Sequence, residues 1–261
     1  MSDNIYISFT CLPSRINNLS YIIDYIFKQT LNFDKLIINY PKNILRLNSN
    51  SNIEEVNKII NDNNNRDKIY LNITNDYGPI TKIFPLIYLD FIKLNDIIII
   101  IDDDNHYNYS LFKNLYNEFI NNDDIAICVS GLLYPTKLNS SYYCCRPNSY
   151  CQLMEASFGY IIRRNFLEND LENWTIKANH FDEIKQNNFF NSFLSDDYVI
   201  SRYFDIKNKK KKVINYTFEL NKGNTVIKDQ NIKSIDSLCG LGHNLDKYVK
   251  SEIELKIRNL V

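Results

Sequence analysis

No stretch of this 261-residue chain is apolar for long enough to cross a membrane as a helix. Its longest unbroken aliphatic run, Ile97–Ile101, falls far below the ~20 apolar residues that a spanning helix needs. The opening residues, MSDNIYISF, lack a basic region, an apolar stretch of signal length and a small-residue cleavage site, so a cytoplasmic protein is expected. An excess of one charge is missing as well. Lys and Arg number 30 against 31 Asp and Glu, a formal net charge of -1, which excludes a global basic field for nucleic acid or acidic membranes. Paired CxxC spacing is absent among Cys11, Cys128, Cys144, Cys145, Cys151 and Cys239. A structural zinc site is therefore not expected, and free thiols are. Cys144, Cys145 and Cys151 fall together in a predicted loop. Glycine and proline number only six each, and the shortage runs with an excess of Asn and Ile along the whole chain. That pattern marks AT-rich codons rather than chemistry, and it strips the Asn-X-Ser/Thr sequons of weight as glycosylation sites.

What is present is ordinary for a globular protein: 44% hydrophobic and 23% charged residues, in a length that suits one large α/β domain. The first half alternates strand and helix. Strands are predicted at Ile5–Phe9, Leu36–Asn39, Ile69–Ile73, Ile97–Ile101 and Ile125–Val129. Between them lie helical stripes through Ile16–Phe27, Ile53–Ile60, Ile80–Phe91 and Leu111–Phe119, the last with Ser110 as its cap. Such order predicts a mostly parallel sheet flanked by helices, with ligands beyond the carboxyl ends of the strands. In the second half, Ser157–Arg163 and Val213–Phe218 read as strands and Ser195–Phe204 as a helix. The run Lys209–Lys212 reads as a solvated loop.

The chemistry concentrates after the most apolar strand, where Asp102, Asp103 and Asp104 follow five isoleucines. Three adjacent carboxylates repel one another, and a divalent cation relieves that cost. Hard oxygen ligands suit Mn²⁺ or Mg²⁺. Alternation along an extended backbone would turn Asp102 and Asp104 the same way, with Asp103 facing elsewhere. The bland alternative is a solvated acidic turn at Asp103-Asp104-Asn105.

With that Asp-x-Asp ending a central strand, the chain resembles the nucleotide-sugar glycosyltransferases of the GT-A fold from about Ile5 to Tyr203. The resemblance implies a Rossmann-like α/β fold in a single domain spanning residues 1–261. Residues 1–130 would bind the nucleotide sugar and residues 131–261 would face the acceptor. It implies metal ligands at Asp102 and Asp104, with His243 as a third, and donor diphosphate contacts at Asp102 and Asp103. The loop after the first strand, with Thr10, Pro13 and Arg15, and the region after the third, with Asp76, Gly78 and Lys82, would hold the nucleotide. Gly159 would leave room for a sugar ring, and Phe158 or Tyr160 would stack on one. If anomeric configuration inverts, Asp197 would be the base that deprotonates an acceptor hydroxyl, assisted by Asp196. Each residue also has a plainer reading, as a surface arginine, a turn or a helix cap.

Three functions follow. The first is metal-dependent transfer of a sugar from a nucleotide-diphosphate donor to a hydroxyl of a glycan, protein or small molecule. The second is sugar nucleotidyl transfer, disfavoured because the Thr10–Arg15 loop contains no glycine. The third is a non-catalytic carbohydrate- or nucleotide-binding module, disfavoured because both acidic clusters are intact.

Overall fold

A computed structural model describes residues 3–44, 49–134, 144–175, 193–214 and 246–261. Along the chain the strands are β1 (Ile5–Thr10), β2 (Lys35–Pro41), β3 (Asn43–Ile44), β4 (Ser49–Asn50), β5 (Ile69–Thr74) and β6 (Ile97–Ile100). They continue with β7 (Ile125–Cys128), β8 (Gly131–Leu132), β9 (Leu153–Met154), β10 (Tyr160–Arg163) and β11 (Lys210–Val213). The α-helices are α1 (Ile16–Phe27), α2 (Ile53–Asn61), α3 (Leu111–Phe119), α4 (Leu171–Trp174), α5 (Asp196–Ile206) and α6 (Asp246–Ile257). No helix among the described residues is long and apolar enough to cross a membrane.

Seven strands form one sheet in the order β11-β7-β10-β6-β1-β2-β5. Every pairing is parallel except those of β10, which runs antiparallel to both β6 and β7. β6 is buried along its whole length. Its side chains divide by parity, Ile98 and Ile100 toward one apolar cluster, Ile97, Ile99 and Ile101 toward the other. Each fully buried isoleucine contributes on the order of 1.5–3 kcal/mol, so a strand of isoleucines is stable only with both faces covered. Cluster members from α1, α2 and α3 cover one face. The segment 80–92, α5 and α6 contribute to the other.

Four local expectations change. The stripe through Ile80–Phe91 is not an α-helix but two 3₁₀ segments, Ile80–Lys82 and Phe84–Tyr88. Pro85 sits inside it, has no N–H to give and crowds the preceding turn. Ser157–Arg163 shortens to β10, preceded by a 3₁₀ turn over Ala156–Phe158. Lys210–Val213 is an edge strand, and Lys211 is only 2% exposed because Asp205 and the Ser201 carbonyl receive its ammonium. Ser110 does not cap α3, since its hydroxyl hydrogen-bonds Asn108 at 2.8 Å instead. Only the first residues of the strand expected through Phe218 fall within the described residues.

Candidate active site

Beyond β6 the backbone turns at Asp103 and Asp104, so the strand's alternation stops and the three acids part. Arg15, which closes the 3₁₀ turn after β1, takes two of them. It is ion-paired with Asp103, buried at 5%, and with Asp104 at 3.1 Å. Asp102 goes to Lys82, at 2.5 Å. Asp102 and Asp104 pair with different cations, and Asp103, expected to turn away, is held by the same arginine as Asp104. Asp104 nonetheless feels Asp102: burial and then the Asp102 charge push its carboxyl up to about 6, against the pull of Arg15. Tyr107 pins the acidic turn from beneath. Its hydroxyl accepts the Asp102 N–H at 3.0 Å and lies 3.2 and 3.3 Å from the Asp102 and Ser157 carbonyls.

The loop after β5 delivers Lys82. Asp76 folds back on its own turn, one oxygen accepting the Gly78 N–H at 2.8 Å. Gly78 has φ +73, and a Cβ there would lie 2.5 Å from the Phe193 carbonyl oxygen. The close approach expected of a ligand is thus made by the chain itself, two residues before Ser195. Further along, the Lys82 carbonyl accepts the Ser8 hydroxyl at 2.7 Å, Asn39 Nδ2 donates to that hydroxyl at 2.9 Å, and Asn72 Nδ2 donates to Asn39 Oδ1 at 2.7 Å. This polar ladder across β1, β2 and β5 fixes the base of Lys82. Its signal was present in the sequence as polar residues inside three apolar strands, but only the register shows that they join. Thr10 supports the same frame, its hydroxyl donating to the Asn39 carbonyl at 2.8 Å. Pro13 opens the 3₁₀ turn that ends in Arg15.

The other acidic segment arrives with α5. Asp196 meets Lys82 at 2.7 Å, so one ammonium, 3% exposed, joins Asp102 to Asp196 across 94 residues of sequence. Burial alone would lower the Lys82 pKa, but Asp102, Asp196 and Asp197 together raise it well above the usual lysine range. Asp197 accepts the Ala156 N–H at 3.0 Å, and burial and then Asp196 push its carboxyl well above the usual range, with Lys82 opposing. Ser195 stands at the cap position of α5, yet its side chain makes no cap bond. Gly159 answers a backbone need, with φ +88; its missing Cβ would meet Ile101 and Leu115 rather than a sugar. Phe158 is 40% exposed, whereas Tyr160 is fully buried in β10. His243 lies outside the described residues.

The site gathers five carboxylates, Asp102, Asp103, Asp104, Asp196 and Asp197, around two cations, Arg15 and Lys82. Among the described residues, Arg15 Nε, Asp103 Oδ2, Ser195 Oγ and the Tyr160 hydroxyl are buried without a hydrogen-bond partner. Excess acid and unanswered polar atoms together fit a polar, cation-bearing ligand. Asp102 and Asp104 offer hard oxygens with side chains 29% and 41% exposed, suited to Mn²⁺ or Mg²⁺ that keeps positions for phosphate and water. No group of three His, Cys, Asp or Glu side chains placed to hold a metal occurs among the described residues, so phosphate oxygens and water would complete the shell.

No protein-family model and no curated protein sequence matches the chain. Solved structures do match. One is the 2-C-methyl-D-erythritol 4-phosphate cytidylyltransferase of Francisella tularensis, 14% identical, covering 89% of this chain and 96% of its own, TM-score 0.47. Another is a 4-diphosphocytidyl-2C-methyl-D-erythritol synthase, 9% identical, covering 100% of this chain and 98% of its own, TM-score 0.51. At such identity the likeness is one of fold: like the synthase, this chain is built on a Rossmann-like, mostly parallel α/β sheet.

Proposed function

We propose that the chain is a metal-dependent glycosyltransferase, moving a sugar from a nucleotide-diphosphate donor to an acceptor hydroxyl. The observation that supports this reading is the meeting of the acidic segments 102–104 and 196–197 at Lys82. Glycosyl transfer needs positive charge for a departing diphosphate and a base for the incoming hydroxyl. Lys82 and Arg15 bring fixed positive charge, and Thr10 at the end of β1, Pro13 in the turn after it, and Asp76 and Gly78 in the loop after β5 frame the donor's nucleotide. Asp102 and Asp104 would hold Mn²⁺ or Mg²⁺, which would supply further charge neutralisation at the diphosphate. Asp197 takes the acceptor proton. Its raised proton affinity suits a base working nearer neutral pH than an ordinary carboxylate. Asp196, held by Lys82, positions the turn from which Asp197 acts. Residues 1–130 serve the donor and residues 131–261 the acceptor.

The full-length fold likeness to the 4-diphosphocytidyl-2C-methyl-D-erythritol synthase favours a second reading, nucleotidyl transfer to a sugar or polyol phosphate. On fold alone that reading is the better supported. The glycine-free Thr10–Arg15 loop supports the first. Two incubations with Mn²⁺ or Mg²⁺ separate them. A panel of nucleotide sugars should release nucleoside diphosphate under the first reading. Nucleoside triphosphates with sugar phosphates should release pyrophosphate under the second.

A further inference from the structure

Within the apolar cluster that also takes in segment 80–92 and α5, the structure brings two thiols into contact. Cys128 ends β7 and Cys151 precedes β9, 23 residues later, yet their Sγ atoms lie 3.6 Å apart. The backbone imposes this meeting. Cys151 N–H donates to the Lys211 carbonyl at 3.0 Å, and Gln152 N–H to the Leu132 carbonyl at 3.0 Å, which lays the segment across β11 and β8. Gly131 makes room. A Cβ at that position would stand 2.6 Å from Cys151 Cβ and 2.7 Å from its sulfur. Cys128 is fully buried, and burial with the neighbouring thiol pushes its pKa well above the usual range. Cys151, 7% exposed, forms part of the wall of an open surface cavity. Lys209, Lys210 and Lys211 share that wall, with Tyr150, Asn208 and Asp205.

We propose that Cys128 and Cys151 are a dithiol site that closes to a disulfide by exchange with a small anionic disulfide such as oxidised glutathione. Lys209 and Lys210 draw the oxidant's carboxylates into the cavity, where Cys151 is the thiol that lines the wall. Cys151, as thiolate, attacks one glutathione sulfur, breaks the S–S bond and expels a glutathione thiolate, which takes up the proton Cys151 gave to solvent. Cys128 then loses its proton to solvent as its sulfur attacks Cys151 Sγ. The second glutathione leaves as thiolate and takes a proton in turn. Two protein thiols are oxidised by two electrons, and one disulfide is reduced to two thiols. The sulfurs have roughly 1.5 Å to close to reach the ~2.05 Å of a bond. The bond would brace the frame behind Asp197. Cys128 pairs with Tyr160 in the sheet, and Cys151 leads through β9 to Ala156, whose N–H holds Asp197. The exchange does not depend on which transfer reaction the cleft performs.

The test uses the full chain, incubated with oxidised glutathione, alkylated under denaturing conditions, digested and mapped by mass spectrometry. A Cys128–Cys151 linked peptide, lighter by two hydrogens and released by dithiothreitol, is the expected result, with a raised melting midpoint. Cys128→Ser should stop the reaction at a glutathione adduct on Cys151, and Cys151→Ser should leave Cys128 unmodified. The wild-type map suffices if either variant fails to fold. Recovery of Cys128 and Cys151 as free thiols while the exposed Cys144 is modified would overturn the assignment. So would a link from Cys151 to Cys145 or Cys239.

Discussion

Two lysines are buried almost equally, Lys82 at 3% and Lys211 at 2%, and their surroundings differ in one respect. Lys211 faces one carboxylate, Asp205, together with the Ser201 carbonyl. Burial wins there, and its pKa is lowered even with Asp205 opposing. Lys82 faces Asp102 and Asp196 directly and Asp197 nearby, and their charges outweigh burial. A single counter-ion is what a structural lysine needs. A surplus of acid around a lysine already paired is costly for the fold, and such a surplus is the mark of a site built for something beyond stability.

The largest effect should come from breaking the overloaded site. Lys82→Met leaves buried Asp196 and half-buried Asp102 without their cation, and breaking the buried Lys82–Asp196 pair costs about 3–5 kcal/mol. Urea denaturation should show that loss, and calorimetry should show no binding of nucleoside diphosphate with Mn²⁺. Next in size is Asp197→Asn. It keeps the shape of the first turn of α5 but removes the base, so transfer should fall by about 10²–10⁴-fold while donor binding and fold persist. Steady-state rates beside calorimetry check it, and Asp196→Asn should slow transfer less. Lys211→Met sharpens the contrast. Asp205 keeps Tyr134 and Arg202, so the expected cost is about 1–3 kcal/mol, with nucleotide binding untouched. Equal losses of nucleotide binding in the two lysine variants would erase the distinction.

The smallest effect is a titration. Asp104 should titrate near 6 by carboxyl NMR, and Asp102→Asn should bring it down, because the Asp102 charge is the second cause of its shift. The folded carboxyl holds its proton more tightly than the unfolded chain, whose value is 3.8. This group therefore favours folding below about pH 4 and loses that contribution as pH rises through about 6. Asp102→Asn should flatten that part of the stability profile.

The succession of strands along the first half was legible because mainly apolar runs recur between 3.6-residue stripes from Ile5 to Cys128, although the Ile80–Phe91 stripe forms 3₁₀ turns and not an α-helix. The direction of β10 was not, since Tyr160–Arg163 reads the same either way and only its neighbours β6 and β7 set it antiparallel. Charge misled at Lys209–Lys212: the partners that let Lys211 be buried, Asp205 and Ser201, lie on a helix and carry no local signature. At the site, residue types were legible and partnerships were not. Arg15, Lys82 and both acidic segments stood out by their places after strands. That Lys82 joins Asp102 to Asp196 depends on the α5 approach over Gly78. That the lysine stands still depends on Ser8, Asn39 and Asn72, whose positions show no chemistry until the strands are in register.

The central claim is that the acid-rich cleft around Lys82 transfers a sugar from a nucleotide-activated donor. The most direct test is to incubate wild type and Asp197→Asn with a panel of nucleotide sugars, a mixed hydroxyl-acceptor panel and Mn²⁺, following nucleoside diphosphate by chromatography. The account expects release with at least one donor by wild type, dependent on acceptor and at least a hundredfold slower in the variant (~10² or more). Contradiction would be no diphosphate from any donor while the same protein releases pyrophosphate from a nucleoside triphosphate and a sugar phosphate.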